Sequence, residues 1–320
     1  GGYINYYYYG FVLAGTPVKL LGIVPSIAYN LILPTWFAMI AAGAFAIGYS
    51  IVKTDKDSAF SIQPSAWVSG LAASFLTILL GNLGTVKLIF NGFQRIAAPQ
   101  GMVPVDANIF QKWMFAAKGL FMSFGGSQLP IGRGDWYWNP SRVIPAPNDV
   151  EPITEFPLFT FLYSDMHAHM LVMPITLFII AWAVSFIKSR AQMTRSEWFA
   201  TFGIGALMIG ALKPTNTWDL YTYFPLAAIA LAYTLYRNFD LKSLIPSPAK
   251  RPEGGRAFPS PFGSPTGVLR EGKGEGWLAR AVIAVGAVAF LYILSSALYS
   301  PFTRWYSLGY GAVDPWTGSH

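Results

Sequence analysis

Long runs without a charged side chain are the feature that most constrains this chain. Six of them follow one another along its 320 residues, at 20–52, 58–86, 166–187, 198–212, 220–236 and 281–303. A helix needs about 20 mostly apolar residues to cross a bilayer. The fourth and fifth runs are shorter than that, and we expect them to form a hairpin interrupted by Lys213 and Asp219. The pattern predicts an all-α membrane protein with about six transmembrane helices.

The composition agrees with this fold class and excludes several others. Only 12% of the residues are charged and 53% are hydrophobic, whereas soluble domains contain about 25% charged residues. The absence of cysteine excludes a disulfide-stapled secreted scaffold. The net charge of +7 is typical of basic cytoplasmic loops in a membrane protein, so we expect the lipid bilayer and not a nucleic acid as partner.

The distribution of basic residues predicts the orientation. If the six runs alternate across the membrane, loops 53–65, 188–197 and 237–280 share one side and hold thirteen Lys and Arg residues. The other side holds four outside its one long connection, at Lys19, Lys87, Lys213 and Arg304. Positively charged loops stay in the cytoplasm. We therefore expect a multi-pass protein of the cytoplasmic membrane, with the tyrosine cluster, loop 91–156 and the C-terminus outside.

Two connections stand out within what we expect to be one polytopic domain over 1–320. Residues 240–275 are rich in Pro, Gly, Ser and basic residues and predict a flexible cytoplasmic linker. The outer loop 91–156 is too long to lack structure throughout, and the apolar spacing in 108–124 predicts an amphipathic helix at the interface. Because the chain opens inside a tyrosine cluster, we expect it to be part of a longer protein.

The densest group of ionisable residues is the segment EFPLFTFLYSDMHAHM at 155–170. On a helix, Asp165 and His169 would share one face, and His167 would point elsewhere. Three interpretations stay open: a polar cap at the start of a helix, a divalent metal held by Asp165, His167 and His169, or metal-free acid–base chemistry that includes Glu155.

An aromatic segment with an arginine precedes it, at WYWNPSR (136–142). Trp136, Trp138 and Asn139 beside Arg142 predict a platform for a sugar or a lipid phosphate, because guanidinium groups bind phosphate with two hydrogen bonds. The alternative is a belt of interfacial aromatic side chains.

Two further motifs are predicted on the same outer side. KPTNTWD (213–219) offers Lys213, Trp218 and Asp219 to the same pocket, although Asp219 would serve equally well as a helix cap. In YYYYG (6–10), Tyr7 and Tyr8 would line a substrate groove or belong to the aromatic belt.

Together, NYYYYG (5–10), WNPSRVIP (138–145), the 155–170 segment and KPTNTWD resemble the Chlor-Arch YYY family of archaeal and Chloroflexi membrane proteins. That family is grouped by fold with the GT-C glycosyltransferases, which use polyprenyl-phosphate sugars outside the membrane. The resemblance implies a GT-C-like bundle and a catalytic acid in a first outer loop, which we expect upstream of Gly1. In this chain it offers Asp165, Glu155, Asp219 and His169 as catalytic candidates.

The leading hypothesis is a glycosyltransferase that acts on a glycan, lipid or protein acceptor. The alternative is a non-catalytic membrane subunit or scaffold of a larger envelope assembly, since glycine-rich helices such as 198–212 pack closely without any chemistry. A transporter with broken helices and a haem or pigment protein using His167 and His169 are further interpretations of the same residues.

Overall fold

The computed structural model describes residues 6–53, 63–144, 152–188, 195–238 and 275–306. Within these ranges every regular element is a helix, as predicted. The α-helices are α1 (Tyr9–Leu21), α2 (Pro25–Val52), α3 (Pro64–Phe75), α4 (Leu83–Ala97), α5 (Ile109–Phe124), α6 (Asp135–Trp138), α7 (Pro157–Leu162), α8 (Ala168–Lys188), α9 (Arg195–Thr215), α10 (Thr217–Asn238), α11 (Glu275–Leu298) and α12 (Ser300–Trp305). The predicted linker 240–275 lies outside the described residues apart from Glu275.

Three helices in the described ranges are long and apolar enough to cross a membrane: Pro25–Val52, Ala168–Lys188 and Trp277–Leu298. The bent pair α3–α4 would make a fourth. Six spans are therefore not confirmed. The fourth and fifth runs do form continuous helices of 21 and 22 residues. Their termini include charged residues such as Arg195, Lys213 and Asp219, which lower the mean hydropathy below that of a clear span.

The second charge-free run, 58–86, is not one straight helix. After α3 the backbone widens into a π turn at Leu76–Leu80 and breaks at Gly81, whose φ is +60°. Asn82 then caps α4, because its Oδ1 accepts a hydrogen bond from the backbone N–H of Gly84 at 2.8 Å. The two halves are bent by 80°. A hydropathy pattern cannot reveal such a break, since every residue in it is uncharged.

The tyrosine motif leads into α1, a helix that the sequence did not predict. α1 ends at Gly22, which adopts the left-handed conformation at φ +65°. Pro25 then occupies the first turn of α2, where its missing N–H costs nothing. The first charge-free run is therefore divided just before Pro25, whereas Pro34 lies inside the continuous α2.

Glycine allows α2 and α3 to approach closely. A Cβ at Gly48 would lie 2.7 Å from the carbonyl oxygen of Ser69, and one at Gly70 would lie 2.7 Å from the ring of Phe45. The Ser69 hydroxyl donates to the Gly48 carbonyl at 2.9 Å, and the Ser74 hydroxyl donates to Ala41 at 2.7 Å. Small residues and interhelical hydroxyl bonds are typical of helix packing in membranes.

Helix α5 confirms the amphipathic helix predicted in the long loop. Asn108 and Gln111 form a reciprocal capping box at its start. Its Gly119 packs on the Phe93 backbone of α4, where a Cβ would have no room. The predicted apolar stripe is exposed, with Phe110 at 74% and Phe121 at 73%, and its Trp113 also packs edge-on against Phe90 of α4 at 4.8 Å. Such a stripe is suited to lie against lipid.

Proline lies inside four of the five long helices: Pro34 in α2, Pro174 in α8, Pro214 in α9 and Pro225 in α10. A proline inside a helix cannot donate to the carbonyl four residues earlier. Each of these helices therefore lacks one backbone hydrogen bond, whereas α11 contains no proline.

The chain divides into two compact units. The first comprises residues 1–177, 214–216 and 305–320, and the second comprises 178–213 and 217–304. The second unit is held by aromatic-on-glycine contacts. A Cβ at Gly205 would lie 2.6 Å from the Trp182 ring, and one at Gly210 would lie 2.4 Å from the Tyr299 ring.

Candidate functional site

A tight turn in the first unit, between α7 and α8, holds the ionisable segment. Ser164 adopts φ +58°, and its carbonyl accepts a hydrogen bond from the hydroxyl of Tyr29 on α2. The Asp165 N–H donates to the Thr160 carbonyl at 3.1 Å. The carbonyl of His167 accepts the N–H groups of Met170 and Leu171, which starts α8. Asp165 therefore lies in the turn before the helix, and the prediction that Asp165 and His169 share a helical face is wrong.

The turn produces two imidazole–carboxylate pairs. His167 Nδ1 lies 2.5 Å from Asp165 Oδ2, and His169 Nε2 lies 2.5 Å from Glu155 Oε2. The two imidazole rings are 5.4 Å apart between centroids. We call these four residues the histidine cluster. Its side chains are partly exposed, between 30% and 49%, so the cluster lies at the surface of the first unit.

The two histidines present different atoms to solvent. The Nε2 atom of His169 faces the Glu155 carboxylate at ion-pair distance. That nitrogen is shielded from solvent, and its contact with the carboxylate lacks the alignment of a hydrogen bond. Glu155 also accepts from the Thr160 hydroxyl at 3.4 Å. His167 uses Nδ1 for Asp165, which leaves Nε2 on the opposite edge of a half-exposed ring. A carboxylate on one imidazole nitrogen fixes the tautomer and orients the other nitrogen.

The described residues contain no group of three or more His, Asp and Glu side chains arranged to hold a metal ion. Each histidine in the cluster engages a carboxylate in a separate pair, which is a poor fit to the metal site predicted from Asp165, His167 and His169. The divalent metal stays a prediction, and we derive no step from it.

The aromatic segment with its arginine packs beside α7. The Arg142 guanidinium lies 4.2 Å from the centroid of the Trp138 ring, and its Nη1 donates to the Ser141 hydroxyl at 2.7 Å. Trp138 lies 6.2 Å from the ring of Tyr163, which in turn lies 4.8 Å from Phe159. Tyr163 is two residues before Asp165. The structure thus brings the WYWNPSR segment next to the turn that holds the histidine cluster.

Backbone contacts hold this platform in place. The side-chain amide of Asn82, at the start of α4, donates to the backbone carbonyl of Pro140 at 3.0 Å. The backbone N–H of Thr154 donates to the Ser141 carbonyl at 2.7 Å. Trp136 packs edge-on against Tyr137 at 5.5 Å. Asn139 opens the short 3-10 helix that ends at Arg142.

The tyrosine motif reaches the same region through its glycine. A Cβ at Gly10 would lie 2.7 Å from the Cβ of Leu171 in the first turn of α8 and 3.2 Å from the Thr215 methyl group. The Tyr7 ring lies 4.7 Å from the Tyr6 ring and 6.0 Å from the Tyr306 ring, tilted against both, and Tyr8 precedes α1. Gly10 and Thr215 were not among the predicted site residues. The only signal in the sequence was the small residue that follows the tyrosines.

The remaining predicted residues belong to the second unit. Thr217 donates from its hydroxyl to the Lys213 carbonyl at 2.9 Å and so satisfies one terminal carbonyl of α9. Trp218 is 48% exposed and lies 6.2 Å from Tyr221, and Asp219 lies in the first turn of α10. Their convergence with Asp165 and Arg142 stays a prediction.

Comparison with known proteins identifies a family. A model of the family DUF2298, described as an uncharacterized membrane protein, matches residues 1–319. No curated protein and no solved structure matches the chain. Because the family model covers almost the whole sequence, this chain belongs to the DUF2298 family of uncharacterized membrane proteins.

Proposed function

We propose that the protein is a membrane glycosyltransferase, which moves a sugar from a polyprenyl-phosphate donor to a hydroxyl of a glycan, lipid or protein acceptor. The proposed site is on the outer face of the cytoplasmic membrane, as the distribution of basic loops predicts. The observation that carries the proposal is the histidine cluster beside the Trp138–Arg142 platform.

In this proposal His167 is the general base. Its Nδ1 engages Asp165 at 2.5 Å, and its Nε2 is then the nitrogen that accepts the proton of the acceptor hydroxyl. As that oxygen forms a bond to the anomeric carbon, the bond from this carbon to the phosphate oxygen breaks, and its electron pair leaves with the phosphate. Asp165 stabilises the imidazolium that forms, in the way that a carboxylate supports a histidine base.

Arg142 is the group suited to the departing phosphate. It lies at the surface of the Trp138 ring, which holds the planar guanidinium in place. A guanidinium binds a phosphate with two charge-assisted hydrogen bonds and stabilises the charge that develops as the bond breaks. The aromatic rings of Trp138 and Tyr163 offer apolar faces for a sugar.

The test is sugar transfer from a radiolabelled polyprenyl-phosphate hexose by the purified protein in nanodiscs. We expect His167→Asn, which removes the proposed general base, and Asp165→Asn, which removes its partner, to lower the rate of sugar transfer by about a hundredfold to ten-thousandfold. Asp106→Asn is the matched control, because Asp106 is an exposed carboxylate in a turn outside the cluster. Equal rates for all three variants, or no transfer to any added acceptor, would overturn the proposal and favour the scaffold alternative.

A further inference from the structure

A Schellman motif closes the C-terminus of α7 and contains the positive φ of Ser164. The Asp165 N–H donates to the Thr160 carbonyl at 3.1 Å. The Ser164 N–H donates to the Phe161 carbonyl, also at 3.1 Å. Many helices end with this pair of hydrogen bonds, and the residue in the left-handed conformation is then usually glycine. Here it is Ser164, at φ +58°, and a serine carries a steric cost in this conformation that a glycine avoids.

Two side chains of α2 hold this turn and the helix that follows it. The Tyr29 hydroxyl donates to the Ser164 carbonyl. The Trp36 indole N–H donates to the Leu171 carbonyl at 3.2 Å. The two donors are seven residues apart, about two helical turns, and therefore lie on one side of α2. The two carbonyls flank the stretch 165–170, which contains three of the four residues of the histidine cluster.

The two hydrogen bonds end on parts of the chain that are fixed to different degrees by other contacts. The Leu171 carbonyl lies in the regular helix α8, and Leu171 and Trp36 belong to one buried apolar cluster. Tyr29 is 41% exposed, and its hydroxyl ends on a turn whose conformation is costly for serine. Loss of the Trp36 hydrogen bond therefore weakens packing, whereas loss of the Tyr29 hydrogen bond releases the turn itself.

We propose that Tyr29 is a positioning residue for the pair formed by Asp165 and His167. Its hydrogen bond to the Ser164 carbonyl offsets the cost of the left-handed conformation and fixes the peptide group that joins Ser164 to Asp165. The direction of this peptide group sets where the Asp165 carboxylate meets Nδ1 of His167, at 2.5 Å. The alignment does not require sugar transfer, whereas its effect on a rate rests on the proposed function.

The imidazole ring of His167 reports this alignment directly. The hydrogen bond made by one imidazole nitrogen decides which of the two nitrogens carries the proton. Because Nδ1 faces Asp165, the neutral ring carries its proton on Nδ1 and leaves Nε2 as the acceptor. If the carboxylate moves away, this preference for the Nδ1–H tautomer is lost. A substitution that only lowers the stability of the fold does not change the tautomer of the folded protein.

The test is ¹⁵N NMR of ring-labelled histidine in the protein in nanodiscs, at about pH 9, well above the ordinary histidine pKa. His167→Asn identifies the signals of His167. We expect Tyr29→Phe, which removes one hydroxyl group, to abolish the preference for the Nδ1–H tautomer. In the transfer assay it should lower the rate by about a hundredfold, as a small misplacement of a catalytic group does. Tyr49→Phe is the matched control, because Tyr49 lies near the other end of α2 and phenylalanine keeps its ring contact with Phe45.

A second substitution distinguishes positioning from a general loss of structure. Ser164→Gly removes the steric cost of the left-handed conformation, and this gain is similar in size to the hydrogen bond that Tyr29→Phe removes. We therefore expect the double variant Tyr29→Phe, Ser164→Gly to recover the Nδ1–H tautomer and most of the transfer rate. Trp36→Phe should lower the midpoint of thermal unfolding and leave the tautomer unchanged.

The positioning role of Tyr29 is wrong if Tyr29→Phe leaves the tautomer unchanged, if Tyr49→Phe or Trp36→Phe changes it equally, or if Ser164→Gly recovers nothing. These outcomes leave the proposed function in place as long as the wild-type protein transfers sugar. If the tautomer depends on Tyr29 but no transfer occurs, the proposed function fails and the positioning role stands. A changed tautomer with an unchanged transfer rate means that His167 is not the base, and it too removes the proposed function alone.

Discussion

At the scale of single residues, the tyrosine motif depends on Gly10, because only a glycine leaves room for the close packing at this position. A Cβ added there would lie 2.7 Å from Leu171, four residues after His167, and 3.2 Å from Thr215. Two sequence motifs about 160 and 205 positions further on thus meet the first motif at one point. A side chain larger than hydrogen at this position would push α1 away from the first turn of α8.

Alanine substitutions at Gly10 and Gly15, both in α1, should change the stability of the protein in opposite directions. A Cβ at Gly10 would lie 2.7 Å from Leu171, whereas nothing lies within 4 Å of one at Gly15. We expect Gly10→Ala to destabilise the protein by about 1–3 kcal/mol through overpacking. Gly15→Ala should stabilise it by about 0.5–1 kcal/mol, because alanine favours a helix more than glycine. Thermal unfolding in detergent checks both, and a gain in stability for Gly10→Ala would contradict the packing described here.

The residue scale is also where the sequence was least informative. The segment at 155–170 predicted a site formed by its carboxylates and histidines. Which carboxylate pairs with which histidine depends on the turn, and that turn requires the positive φ of Ser164 and a hydrogen bond from Tyr29, 135 positions away. The pairing of His169 with Glu155 crosses the whole of α7. Spacing rules for regular helices do not apply across such a turn.

At the scale of elements, prediction succeeded where one physical signal dominated. The apolar periodicity of 108–124 gave α5 nearly to the residue, and the apolar run at 166–187 gave α8. α1 was missed because the tyrosine motif was assigned to a substrate groove or to the aromatic belt, and not to the start of a helix. The bend between α3 and α4 was missed because Gly81 and Asn82 are uncharged and do not interrupt a hydropathy run.

The two faces of α5 lead to a labelling prediction. Phe121 lies in the exposed apolar stripe, and the exposed Lys112 lies on the opposite side of the same helix. The chain contains no cysteine, so a single introduced cysteine is the only thiol that a maleimide can label. In lipid vesicles we expect Phe121→Cys to be protected from a membrane-impermeant maleimide and Lys112→Cys to be labelled, because the stripe lies in the bilayer interface.

Denaturing detergent supplies the control for α5, since both positions should then react fully. Fast labelling of Phe121→Cys in vesicles would mean that water, and not lipid, covers the stripe.

At the scale of the whole molecule, the sequence identified a helical membrane protein but not the number of its spans. Three helices, or four with the bent pair, qualify among the described residues. The helices α9 and α10 are long enough to cross, yet their charged ends reduce their hydropathy. They are joined through the single residue Asn216.

The orientation of the whole protein gives the last prediction. The thirteen basic residues of loops 53–65, 188–197 and 237–280 should stay in the cytoplasm. In intact cells we expect Asp106→Cys to react with an impermeant maleimide and Ala257→Cys to react only after the membrane is permeabilised. The reverse pattern would invert the topology and move the proposed site to the cytoplasmic face.

The prolines within the long helices have a mechanical consequence. A helix that lacks one backbone hydrogen bond bends there at lower cost than elsewhere. Helices accommodate a thicker or thinner bilayer by tilting or kinking. In this protein α2 and α8 have a built-in point of flexure at Pro34 and Pro174, whereas α11 is a rod without one. When the thickness of the bilayer changes, α11 is left to tilt as a whole while α2 and α8 flex at their prolines.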